Sequence, residues 1–441
     1  MKKALSKTLV GVALFLGAWL ATEALELPPL DGTDQPEWTA ISVVHVRQLG
    51  GKLPAGVGRD QREGDLHPEP WRQGVQATTF GWPNPSLHKL VWGLACDPLT
   101  PEKVFPGVFL RYHRGDRARM AQAVQPLVPA IERAQALVAL FSAACAVLLF
   151  LLVRALAGWI GGLAAASLWL VHPVVRTWSH QARPDFGMLA LFLLVPLMVV
   201  VLAPQLAGER GRARQVLAWM LAGLLAGLCA ATKLNGALIG VFLVLSVPLF
   251  ALLRNSEGER PRLLPLLCSS LTGALVAALT LFSLFPYLWS APLEHLNEVL
   301  EFWSEHMAYQ QERWEAAGGT ATRTLGEKST LVASRLLGRD EPLQALTGIP
   351  GGVALLVAGL TVLALQSLGH GRFAGNVKGR AAAQVVCLWV LVTLAGTTLW
   401  LPLEWDRYFF PIIAIVVLAE GVVVGLLADR FLPESSRLAG R

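Results

Sequence analysis

Leu30-Asp31-Gly32-Thr33-Asp34-Gln35-Pro36-Glu37-Trp38 follows the first apolar run of the chain and puts three carboxylates within seven residues, beside a bilayer. Such a cluster can close a turn and open a helix, with Asp34 as N-cap, Pro36 in the first turn and Glu37 near the third helical position. It can equally supply a catalytic carboxylate, and the two roles are compatible. Asp34 is the leading catalytic candidate, with Glu37 as its neighbour. What flanks the stretch decides what kind of protein it serves.

On the N-terminal side, Met1 to Lys7 carries three lysines, and an apolar run over about 8–25 approaches the roughly 20 residues that cross a bilayer. Ala21-Thr22-Glu23-Ala24 also suits signal-peptide cleavage, but the many apolar runs that follow favour a retained span. Both alternatives place the acidic stretch outside the cytoplasm. On the C-terminal side, apolar runs recur at about 134–153, 156–171, 186–203, 216–231, 236–253, 263–288, 349–365, 381–401 and 409–428. With the first they predict about ten transmembrane helices. A chain of 441 residues that is 54% hydrophobic and 15% charged, with a mean hydropathy of +0.50, has the balance of an all-α polytopic membrane protein.

The net charge of +6 reports topology rather than nucleic-acid binding, because the basic residues fall in short clusters between apolar runs. Lys2, Lys3 and Lys7, Arg154, the groups Arg210, Arg212 and Arg214 and Arg254, Arg260 and Arg262, then Arg372, Lys378 and Arg380 and Arg430, Arg437 and Arg441 all thread to one side. By the positive-inside rule that side is the cytoplasm, and both termini lie there. The five cysteines imply no disulfide framework or metal-binding pair, since Cys145, Cys229, Cys268 and Cys387 sit inside apolar runs and Cys96 stands alone in a polar region.

The external face then collects a first loop over 26–132, the loop 172–185, the corner at Lys233, the loop 289–348 and the corner 402–408. The first loop also holds an amphipathic stretch from Trp38 to Leu49, a proline-rich turn at Trp82-Pro83-Asn84-Pro85-Ser86-Leu87, and a basic run from Arg111 to Arg119 that suits a solvated loop or a contact with anionic head groups. In the later loop, Trp303, His306, Tyr309 and Trp314 recur at near-helical spacing, as in a helix lying on the interface or a lid over substrate. His306 is a candidate substrate contact there.

Three cations gather at one depth of this face: Arg133 at the start of the second span, Lys233 in a polar break between two spans, and Arg407 at the start of the last. Arg133 has an ordinary explanation as a snorkelling anchor. Lys233 and Arg407 run against the positive-inside bias and call for an anion. A lipid-linked phosphate supplies it, with Arg offering a bidentate fork and Lys a point charge. Asp185, just before a span, suits a helix cap, a partner for a cation, a metal ligand or an acceptor contact.

One acid and several cations suit glycosyl transfer from a polyprenyl phosphate. A glycosidase needs two carboxylates because its alcohol leaving group must be protonated. A phosphate leaves as a stable anion, so cations assist its departure and one carboxylate suffices as base. Backside attack by an acceptor that Asp34 deprotonates would invert the anomeric centre.

In order along the chain, these residues resemble the GT-C superfamily of integral-membrane glycosyltransferases, in the branch of protein O-mannosyltransferases and aminoarabinose transferases. Asp34-Gln35 is similar to the branch's Asp-Glu pair after the first span, with Gln in place of Glu and Glu37 nearby. The proline-rich turn, Arg133, His172-Pro173 through Arg183-Pro184-Asp185, Lys233, Phe285-Pro286-Tyr287 (Phe in place of Asn) and Arg407-Tyr408-Phe409-Phe410-Pro411 resemble later motifs in the same order.

The resemblance implies one transmembrane glycosyltransferase domain over 1–430 with a short cytoplasmic tail at 431–441. It implies a bacterial inner-membrane enzyme with its site on the external face, a polyprenyl-phosphate sugar donor, and a lipid, glycan or protein acceptor. A divalent cation is a candidate cofactor. A flippase of lipid-linked sugars is the competing class, but it should show related halves and polar residues at mid-membrane, whereas most spans here are apolar through the middle and no internal repeat is seen.

Overall fold

The computed structural model describes residues 87–96, 124–252, 262–289, 291–337, 346–349, 351–369 and 377–431, with isolated positions 15, 17, 39 and 42. Most of the first span, most of the first external loop with Asp34, Glu37 and the basic run, and the tail beyond Phe431 lie outside the described residues. The proline-rich motif at 82–86 also lies outside the described residues, and the short helix expected after it is α1 (Leu87–Cys96).

The runs 134–153 and 156–171 form α2 (Val128–Val171), which breaks at Ala157 and Gly158. Gly158 has φ 77°, a conformation that L side chains rarely adopt, and the chain reverses there. The second arm folds back on the first: Trp159 meets the Phe150 ring edge-on at 4.9 Å, and a Cβ on Gly162 would lie 2.7 Å from the Phe150 carbonyl oxygen. At the far end, the Trp169 indole N–H donates to the Ser142 carbonyl at 3.1 Å. Arg154 lies beside the reversal, its guanidinium 5.0 Å from the Trp159 ring.

A short turn of helix, α3 (Pro173–Trp178), leads to α4 (Asp185–Val201), α5 (Arg212–Thr232), α6 (Leu238–Leu252) and α7 (Leu263–Ser283). The last run was expected to continue to 288. Helix α7 stops earlier because Phe285-Pro286 turns the chain into a 3-10 segment, Pro286–Leu288. The loop expected on the external face then forms two helices, α8 (Pro292–Ala316) and α9 (Leu325–Leu337). Glu327 caps α9 by accepting the Arg323 and Thr324 backbone N–H groups while its own N–H donates to the Thr324 hydroxyl, a capping box read directly from Thr324-x-x-Glu327. Helices α10 (Gly352–Leu368), α11 (Val377–Trp400) and α12 (Phe410–Phe431) complete the bundle.

Among the described residues six helices are long and apolar enough to cross a membrane, and α4 and α10 are shorter apolar helices. At 1.5 Å per residue, the 17 residues of α4 reach about 26 Å, close to the hydrocarbon thickness. Small residues let the helices approach. Gly161 of α2 packs on Gly421 and Gly425 of α12, Gly359 of α10 on Ala419, and Gly223 of α5 on Gly273 of α7. Helix α12 is therefore the buried centre, whereas Leu264, Leu271 and Leu275 of α7 stay exposed, as a lipid-facing surface requires.

Candidate functional site

Asp185 opens α4 and is almost fully buried. Lys233 lies where α5 stops. Its extended backbone (φ −157°, ψ 136°) separates α5 from a 3-10 turn, Leu234–Ala237, that leads into α6. The polar Thr232-Lys233-Leu234-Asn235-Gly236 break in the apolar pattern is thus a structural corner. The Lys233 ammonium donates to the Asp185 carboxylate at 2.6 Å. Burial draws Lys233 below the usual lysine range, Asp185 opposes that, and the Arg407 and Arg183 charges add to the burial effect.

Arg407 sits in the 3-10 turn Asp406–Phe409 that precedes α12, and its charge acts on both members of the pair. Three cations, Arg183, Lys233 and Arg407, therefore act on one carboxylate, and the site carries a net positive potential. Aromatic rings wall it. The Arg407 guanidinium lies 4.6 Å from the Trp405 ring, and Arg183 lies 4.8 Å from Trp178. Tyr408 stacks on Trp405 at 5.8 Å and lies 6.0 Å from the Lys233 ammonium.

Beside this cluster a cleft of about 430 Å³ runs between α1, the first arm of α2, and α4. Leu87, Val91, Phe141, Leu148, Leu191 and Leu194 give it an apolar lining, and Arg183, Pro184 and Thr232 stand at the end next to Asp185 and Lys233. Along α4 it extends from Pro184 to Leu194, about 15 Å at the helical rise. His88 also lines it, and its ring nitrogen Nδ1 donates to the Thr232 carbonyl at 2.8 Å, tying α1 to the Lys233 corner.

Of the residues singled out in the sequence, Asp185, Lys233 and Arg407 come together. Arg133 lies exposed near the start of α2, and the charges acting on Asp185 are those of Lys233, Arg407 and Arg183. His306 is buried on α8 within an aromatic row, stacked on Phe302 at 5.4 Å and edge-on to Trp303 at 5.6 Å, with the Gln310 amide 2.8 Å from its Nε2. Asp34 and Glu37 lie outside the described residues. Arg183 and His88 were not selected from sequence. Arg183 carried a signal, being a second cation within two residues of Asp185 on the face that disfavours cations.

Among the described residues no group of three or more His, Cys, Asp or Glu side chains could hold a metal ion. At Asp185 the surroundings suit an anion better than a divalent cation, because Lys233 engages the carboxylate and two guanidinium charges lie close by.

The chain has the GT-C fold of integral-membrane glycosyltransferases. It is similar to ArnT from Cupriavidus metallidurans in the apo state, with 15% identity and a TM-score of 0.51 over 99% of this chain and 62% of that one. It is similar also to the apo oligosaccharyltransferase of Archaeoglobus fulgidus, with 12% identity and a TM-score of 0.56 over 97% of this chain and 52% of that one. ArnT has also been solved bound to undecaprenyl phosphate, at 14% identity and a TM-score of 0.50 over 99% of this chain and 62% of that one. The chain thus spans less than two thirds of the length of these structures. No protein-family model matches the sequence, and no curated protein matches it.

Proposed function

We propose that this protein transfers a sugar, with inversion, from a polyprenyl-phosphate-linked donor to a hydroxyl or amine of a lipid, glycan or protein acceptor. The observation that carries this reading is the cluster of Arg183, Lys233 and Arg407 around Asp185, beside an apolar cleft that Arg183 itself lines. A polyprenyl phosphate has the matching parts, an anion at the head and a long apolar tail. Burial of the tail is worth about 0.8 kcal/mol per methylene, so the cleft favours a lipid donor over a water-soluble one. ArnT is known with undecaprenyl phosphate, and the Archaeoglobus oligosaccharyltransferase with dolichol-phosphate and an inhibitory peptide, which supports the same donor class.

In the proposed reaction the acceptor oxygen or nitrogen attacks the anomeric carbon from the side opposite the phosphate. The bond from that carbon to the phosphate oxygen breaks, and its electron pair leaves with the lipid phosphate. Asp34 takes the acceptor proton as base. Lys233, Arg407 and Arg183 stabilise the charge on the departing phosphate, with Arg133 a further candidate for the same anion. Asp185 holds the cations apart and in place until the phosphate arrives. A divalent cation is a candidate cofactor that would neutralise phosphate charge when bound. In this reading the site faces the exterior of a bacterial inner membrane and both termini face the cytoplasm, an orientation that the distribution of basic residues supports.

The test is transfer of labelled sugar from polyprenyl phosphate donors to membrane acceptors, by the unsubstituted protein and by Asp34→Asn at equal folded yield. Loss of turnover with donor binding kept is the expected result. Movement of labelled lipid-linked sugar between leaflets, with no transfer across a panel of donors, would replace the enzyme with a flippase.

A further inference from the structure

Arg407 has little freedom to choose its own direction, because the residues on either side of it are held by the external helices α8 and α9. On one side, the Glu404 carboxylate accepts the Trp314 indole N–H at 3.3 Å and the Thr320 backbone N–H at 3.1 Å, while Trp405 meets Trp314 edge-on at 5.7 Å. On the other, the Arg335 guanidinium of α9 donates to the Asp406 carboxylate at 2.9 Å and to the Glu404 carbonyl at 2.8 Å. The same guanidinium lies 5.7 Å from the Phe409 ring.

The backbone is tied as well. Thr322 donates its N–H to the Pro402 carbonyl at 3.1 Å and its hydroxyl to the Leu401 carbonyl at 2.8 Å, and Ala321 forms an antiparallel bridge with Leu403. One guanidinium and one carboxylate thus span the corner that presents Arg407. The Arg335–Asp406 pair is only 20% and 29% exposed, in contrast to the open Arg323–Glu315 pair on the same loop, 55% and 44% exposed. Open pairs contribute little, whereas a sheltered guanidinium whose Nη2 donates to two oxygens ties both to one point.

We infer that Arg335, with Glu404 and Asp406, forms a positioning network that aims Arg407 at the donor phosphate and makes donor binding depend on how the external helices are seated. This rests on the donor-site reading above. A further link runs through α9: the Leu346 N–H donates to the Arg335 carbonyl at 3.0 Å, and the Leu346 carbonyl accepts a bond from His172. The network therefore connects α9, the loop before α10, and the end of α2.

The experiment titrates fluorescent polyprenyl phosphate, and the polyprenol of equal length, into the full chain in lipid nanodiscs. Because the two lipids differ only in the phosphate, damage to the fold affects both and a misaimed Arg407 affects one. Arg335→Met should weaken polyprenyl phosphate binding about tenfold and leave polyprenol within about twofold, with Arg335→Lys in between and Arg323→Gln unchanged. If Arg335→Met does not fold, Asp406→Asn takes its place, since it keeps an acceptor oxygen and removes the charge. Equal weakening of both lipids, or no weakening of either, would overturn the inference. Absence of any preference for the phosphate in the unsubstituted protein would instead overturn the donor-site reading and the inference with it.

Discussion

Asp185 and Lys233, 48 residues apart in the chain, meet at 2.6 Å and join the first turn of α4 to the break between α5 and α6. Removing one partner of a sheltered pair leaves the other charge without compensation. Asp185→Asn should cost roughly 2–3 kcal/mol, below the 3–5 of a fully buried pair because Lys233 keeps 21% exposure. Thermal unfolding in detergent checks this, and added polyprenyl phosphate should recover part of the loss by supplying an anion to the same cations. An unchanged melting temperature would mean that the pair holds nothing together.

Arg407→Lys keeps the charge but loses the planar fork and the stack on Trp405. Donor affinity should fall about tenfold, with the unfolding transition nearly unmoved. Equal donor affinity in the two proteins would remove Arg407 from the site.

Ala190 is buried and lines the apolar cleft. A Phe there should occupy volume that a lipid tail needs, raising KM for a long-chain donor about tenfold and leaving a short-chain analogue almost unaffected. Kinetics with the two donor lengths measure this, and a matched change for both would place the tail elsewhere.

His172 gives a pH dependence of stability. Burial lowers its basicity below the usual 6.5, with the hydrogen bond to Leu346 and the Asp406 charge opposing that. The folded state therefore binds fewer protons than the unfolded one below about pH 6.5, and stability is lost as pH falls from there through the lower folded value. The slope is at most about 1.4 kcal/mol per pH unit. Unfolding midpoints of the unsubstituted protein and His172→Gln between pH 7 and 5 should diverge in slope, the variant being flatter. Parallel curves would show that His172 does not titrate with folding.

The apolar runs after residue 133 were legible as helices because length and hydropathy alone satisfy the bilayer and the backbone. Even the reversal in α2 had a local cue, since Arg154 and Gly158 interrupt the run. Lys233 and Arg407 stood out because a cation on the disfavoured face needs a reason. The two-helix form of the 289–348 loop was less visible, although the Thr324-x-x-Glu327 box marks the start of the second.

The sequence by itself determined that this is a polytopic helical membrane protein and singled out the charged residues that interrupt its apolar pattern, since both follow from short-range transfer energetics along the chain. Only the tertiary structure decided that Arg183, Lys233 and Arg407 act on one carboxylate, that α1, α2 and α4 leave an apolar cleft beside them, and that Arg335 holds the corner bearing Arg407. Those relations join residues from separate loops, and they depend on helix packing through Gly161, Gly223 and Gly421, where a missing side chain sets the distance between backbones that no local pattern encodes.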